Sequence, residues 1–110
     1  MLYNVSMNNN KENDSELVEN TIKELCHFMA KSMDEDFIFD FITCLFTNAE
    51  LTDIAKRWLL VKEIDKGTTQ REIAKKYGMS LCKITRGAKE LSKKDSAFRN
   101  MLKMMEAENE

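Results

Sequence analysis

Residues 70–87, QREIAKKYGMSLCKITRG, place Ala74, Gly78 and Ile84 at successive intervals of four and six. This is the spacing of a helix-turn-helix, two short helices crossed through a tight turn. Each residue type has a mechanical task. Small Ala74 permits close helix contact, Gly78 can take the positive φ of the turn, and Ile73, Tyr77, Met79 and Ile84 supply the apolar seam. The second helix then exposes Leu81, Cys82, Lys83, Thr85 and Arg86 near its N-terminal half, with Lys75, Lys76, Lys89, Lys93 and Lys94 around it. Such a surface suits a polyanion: lysines neutralise phosphates while side chains on a helix that fits the B-DNA major groove meet base edges. Similar helix pairs also occur in protein–protein modules, and spacing alone leaves that partner class open.

Other reactive groups are sparse. The single histidine, His27, sits beside an apolar helix face, no Gly-rich phosphate loop is present, and no carboxylate pair has an evident site, so an enzyme is not expected. Cys26, Cys44 and Cys82 are odd in number and share no CxxC spacing, which suits reduced thiols. Zinc on Cys26 and His27 would need two further ligands, so no metal or cofactor is expected. Arg57 and Arg86 carry planar, permanently charged guanidiniums, and two of these on adjoining helices can hold a flat aromatic acid. Periodicity alone favours a simpler pair of roles, a solvated Arg57 and a phosphate-binding Arg86.

The elements that must position these groups are helices. The chain has 110 residues, no Pro, three Gly, 43% apolar and 33% charged residues, a composition that disfavours disorder and turn-rich β folds alike. One all-α domain is expected over 15–106, after a disordered leader 1–14 and before a tail 107–110. The first helix is expected over about 15–32, on Leu17, Ile22, Leu25, Phe28, Met29 and Met33. Phe37–Phe46 holds eight apolar residues in ten, as a helix greasy on nearly every side or as a strand. So small a chain offers such a segment too little cover, which makes dimerisation the economical expectation.

Thr47-Asn48-Ala49-Glu50 has the form of a capping box and opens a helix that ends at Lys66-Gly67. A second box, Thr69-Gln70-Arg71-Glu72, opens the helix-turn-helix over 69–91, in which Gly78 stops one helix and Ser80 caps the next. A last helix is expected over 95–106. Charge is segregated although the net is only −2. Residues 1–53 sum to −8, residues 54–99 to +8 and residues 100–110 to −2, so a basic half is set against an acidic one. The longest apolar run, Trp58-Leu59-Leu60-Val61, is far shorter than the roughly 20 residues that cross a bilayer. The Asn-rich opening MLYNVSMNNNKEND has neither the basic start nor the apolar stretch of an export signal, so a cytoplasmic location is expected.

From about Cys44 to Leu91 the sequence resembles the Trp repressor family. The resemblance is carried by Ile84-Thr85-Arg86-Gly87 closing the helix pair opened by Gln70-Arg71-Glu72, with Leu45-Phe46-Thr47, Glu50 and Arg57 upstream. It implies an intertwined six-helix homodimer that represses transcription from palindromic operator DNA, with L-tryptophan as corepressor. The resemblance further implies that Arg57 and Arg86 sandwich the indole, with Arg86 also meeting the carboxylate. Thr47 and the carbonyls near Cys44 and Phe46, from the partner chain, receive the amino group, and Gly87 leaves room for the ring. On the DNA side Arg71 meets a guanine and Leu81, Cys82 and Thr85 face the groove, with Gln70, Lys75, Lys83 and Lys89 completing the set. Three features depart from the family pattern. One residue is missing between Gly67 and Gln70, Glu90 replaces a serine at the ligand's polar end within i,i+4 reach of Arg86, and Lys83, Ala88 and Lys89 replace small polar residues.

Overall fold

Six helices and no strand make up residues 11–109, the part of the chain that the structure, a computed structural model, describes. They are α1 (Lys11–Ser32), α2 (Glu35–Leu45), α3 (Asn48–Asp65), α4 (Gln70–Tyr77), α5 (Leu81–Ser92) and α6 (Ala97–Glu108). The contacts divide the chain at Leu45–Phe46 into one unit with α1 and α2 and a second with α3 to α6.

In the first unit α1 begins at Lys11, four residues before the expected start and inside the stretch expected as a leader. Those added residues are polar, so apolar periodicity carried no sign of them. Residues 1–10 of the expected leader lie outside the described residues. Met33 does not extend the helix: it takes φ 50° and is 91% exposed. The carboxylate of Asp34 then accepts from the amides of Asp36 and Phe37 and starts α2. Phe37–Phe46 is therefore helical, not a strand, through Leu45. The rings of Phe37 and Phe41, one turn apart, lie 6.4 Å centre to centre. No side chain of α2 is buried, and Phe28, Phe37 and Phe39 are all more than half exposed.

The second unit is built on its caps. At Thr47 both halves of the capping box are present: the hydroxyl accepts from Glu50 N–H at 3.2 Å, and Thr47 N–H donates to the Glu50 carboxylate at 2.9 Å. At Thr69 only the first half is found, the hydroxyl accepting from Glu72 N–H. Gly78 ends α4 in the left-handed region, φ 62° and ψ 37°, and both its N–H and that of Met79 bond to the Ala74 carbonyl. Ser80 caps α5, and Ser96 caps α6. The last helix starts at Ala97 and continues to Glu108, two residues into the expected tail.

Ile73, Met79 and Ile84 are buried together with Leu60 from α3, and Ile64, Ala74 and Tyr77 pack around them. The apolar stripe that helical spacing predicts for α3, Leu51, Ile54, Trp58, Val61 and Ile64, leaves out Leu60. It lies next to Val61 in sequence, and both are buried because α3 is covered on more than one side. The small residue at Gly87 lets α5 lie against this core: a Cβ there would stand 3.0 Å from Leu60 Cδ2. Arg99 of α6 pairs with Asp65 of α3 at 2.6 Å, and Phe98 sets its ring 6.1 Å from that of Trp58.

Candidate functional site

Two surfaces of the second unit converge on α5. Its outward side presents Leu81, Cys82, Thr85 and Lys89, all exposed, along one shallow cleft that Arg86 and Glu90 also line. Ile84, Gly87 and Leu91 turn the opposite way and are buried. The helical period thus separates what holds α5 in place from what it offers. Gln70 and Arg71, at the start of α4, and Lys75, one turn on, are exposed as well.

Not every basic side chain on this surface is free to act. Lys76 lies 3.5 Å from Glu63 and over the Tyr77 ring, Lys83 lies 3.0 Å from Asp53, and Lys93 lies 2.8 Å from Glu90. Arg71, Lys75, Arg86 and Lys89 hold no side-chain ion pair among the described residues. With Lys94, which is likewise exposed and unpaired, these four are the cations of this surface most available to a polyanion.

Glu63 is buried at the C-terminal end of α3, where the Thr68 hydroxyl donates to it at 2.8 Å and Tyr77 at 3.4 Å. The Thr68 hydrogen bond, then the charges of Lys76 and Lys66, hold its carboxyl below the usual glutamate range. The same pairing raises Lys76. This carboxylate locks the short Gly67-to-Gln70 joint to the first helix of the pair. Sequence reasoning missed it because its partners lie up to fourteen positions away.

The second surface is a cavity of about 310 Å³ between α3 and α5, lined by Arg57, Leu60, Lys83, Arg86, Gly87 and Glu90, with Phe98 of α6 and Val61 completing the wall. That volume is at the small end for ligand sites. Arg57 and Arg86 thus share one cavity, whose floor is apolar. Gly87 lines it, but its small size is also demanded by Leu60, so packing alone explains a glycine there. Phe46 and Thr47 do not line this cavity, and the Thr47 hydroxyl caps α3. Cys44 belongs to the first unit.

Glu90 does not pair with Arg86 as its spacing suggested. Its carboxylate takes Lys93, and that hydrogen bond and charge, more than the charge of Arg86, hold its pKa below the usual range. Lys93 stands at the C-cap of α5, and its ammonium comes to 2.8 Å from that carboxylate. Arg57 is likewise paired, with Asp53 at 3.0 Å. Asp53 was not expected in the site, although an acid four residues before an arginine on a helix is a recognisable pairing signal.

The model of the Trp repressor protein family matches residues 20–106. The chain belongs to the Trp repressor family. It is therefore a regulator of the repressor class and not an enzyme. The Trp operon repressor homolog of Chlamydia trachomatis serovar L2 is 38% identical over 79 residues, covering 71% of this chain and 81% of its own length. Its namesake from Chlamydia caviae is 38% identical over 81 residues, 73% and 77% of the two chains. That of Xylella fastidiosa M23 is 32% identical over 74 residues, 66% and 80%. No solved structure matches the chain. Among the described residues of this Trp repressor family member, no helix is long and apolar enough to cross a membrane. Among these same described residues no three His, Cys, Asp or Glu side chains are gathered to hold a metal, and the three cysteines are free and exposed.

Proposed function

We propose that this protein is a cytoplasmic homodimeric repressor that binds palindromic operator DNA and is activated by L-tryptophan. The observation that carries the reading is the shared cavity: Arg57 and Arg86 line one space on α3 and α5, and Arg86 belongs to the same helix that offers Leu81, Cys82 and Thr85 outward. A flat aromatic acid held there lies against the DNA-facing helix itself, so it can favour one setting of that helix over another. Arg71 reads a guanine, and Gln70, Lys75, Lys83 and Lys89 add polar and phosphate contacts.

Dimerisation is supported by the first unit, in which no described apolar side chain is buried, and the partner's Cys44, Phe46 and Thr47 region supplies the ammonium end of the ligand site. Glu90 at the cavity wall favours a second reading in which the ligand is another aromatic amine or amino acid, because a carboxylate there attracts an ammonium and repels a carboxylate. Titration of labelled palindromic operator DNA with and without L-tryptophan tests both. Tight binding that requires tryptophan supports the first reading. Binding indifferent to tryptophan refutes it, and calorimetry with tryptamine then tests the second. Failure to bind DNA under either condition leaves a protein-interaction module.

A further inference from the structure

Asp53 stands on α3, one turn before Arg57, and divides its two carboxylate oxygens between two cations. Oδ2 lies 3.0 Å from Nη2 of Arg57, and Oδ1 lies 3.0 Å from Nζ of Lys83 in the first turn of α5. Lys83 borders both the arginine cavity and the cleft beside Ser80 that Lys56 also lines. A single acid therefore engages a cation of the ligand cavity and a cation of the DNA-facing helix together.

Packing does not require this arrangement. The Arg57, Asp53 and Lys83 side chains are 51%, 37% and 49% exposed, so water can serve each of them, and pairs this open contribute little to stability. The carboxylate instead changes which cations are available. An ammonium held at 3.0 Å must leave its partner before it can neutralise a phosphate. The hydrogen bond from Lys83 is also the first cause of a lowered Asp53 pKa, so the acid stays charged at neutral pH.

We propose that Asp53 is a built-in competitor for phosphate, withholding Lys83 from DNA while Arg57 fixes its other oxygen, so that DNA binds less tightly than it would without this carboxylate. The proposal rests on the DNA-binding reading above. It is tested by fluorescence anisotropy of a labelled duplex without ligand, across a salt series, for the unaltered protein, Asp53→Asn, Lys83→Gln and the double variant. One added phosphate contact contributes about 0.9 to the slope of log K against log salt, and up to about eightfold tighter binding at 0.1 M salt. Asp53→Asn is expected to show both changes, and neither slope nor affinity is expected to move to that extent when Lys83 is already Gln. Equal gains in both backgrounds would mean that only net charge matters and would overturn the role of Asp53, as would no gain at all. If no form binds the duplex at low salt, the DNA-binding reading itself falls, and the competition for Lys83 falls with it.

Discussion

The two units of this chain treat their apolar side chains in opposite ways. In α3 to α6, Leu60, Ile73 and Ile84 are almost entirely withdrawn from solvent, whereas in α1 and α2 no described residue is buried and Phe39 is 67% exposed. The first arrangement is a core complete within one chain. The second is a surface that gains only when another surface covers it, because apolar area left in water contributes nothing to folding. Composition alone would mislead here, since α2 is the greasiest segment of the sequence and contributes no buried side chain.

Four changes would break or sharpen that contrast. Ile84→Ala removes a fully enclosed side chain and is expected to destabilise the second unit by about 2–5 kcal/mol, read from urea unfolding. A loss below 1 kcal/mol would mean that this core is not the one described. For Phe39→Ala the expectation separates the units. Within one chain so exposed a ring has little effect, but under a second copy it is expected to cost about 2 kcal/mol and to lower the dimer's mass in sedimentation near the dissociation midpoint. Sedimentation as a stable folded monomer at micromolar concentration would refute the proposed dimer.

Gly87→Ala pushes a methyl toward Leu60 Cδ2, the end of a flexible side chain, and its strain of about 1–3 kcal/mol is offset by the about 1 kcal/mol that Ala gains over Gly inside a helix, so a small net loss is expected. Combining it with Leu60→Val should recover part of that loss, and purely additive unfolding energies would exclude the contact as its cause. The smallest effect is expected from acid. Glu63 has a folded pKa below its unfolded value, so it stabilises the second unit at neutral pH, and this contribution disappears as pH falls through the folded value. Urea midpoints of the unaltered protein should therefore fall more steeply into acid than those of Glu63→Gln. Parallel curves would show that the Thr68 and Lys76 contacts do not matter for stability.

Much of the candidate site was legible because it is local. Gly78, Ser80 and the Thr47 and Thr69 caps act on amides within a few residues of themselves, so their spacing announces helix ends before any packing is known. The start of α1 was not legible, since a solvated polar turn has no apolar rhythm. Nor was the partner of Glu90: the i,i+4 spacing pointed to Arg86, while Lys93, placed by the end of the helix, reached the carboxylate.

By itself the sequence determined five of the six helices, the crossing of α4 and α5 and the sidedness of α5, because each follows from periodicity, caps and one residue able to take a positive φ, while α2 stood open between helix and strand. Only the tertiary structure decided which charges remain available. Asp53 meets Lys83 across thirty positions and Glu63 meets Lys76 across thirteen, and no spacing rule reaches that far. The same holds for Leu60 against Gly87, where a close approach of two helices selects the residue without a pattern in either one. Contacts within a helix are set by its geometry, but contacts between helices depend on where the core brings them together.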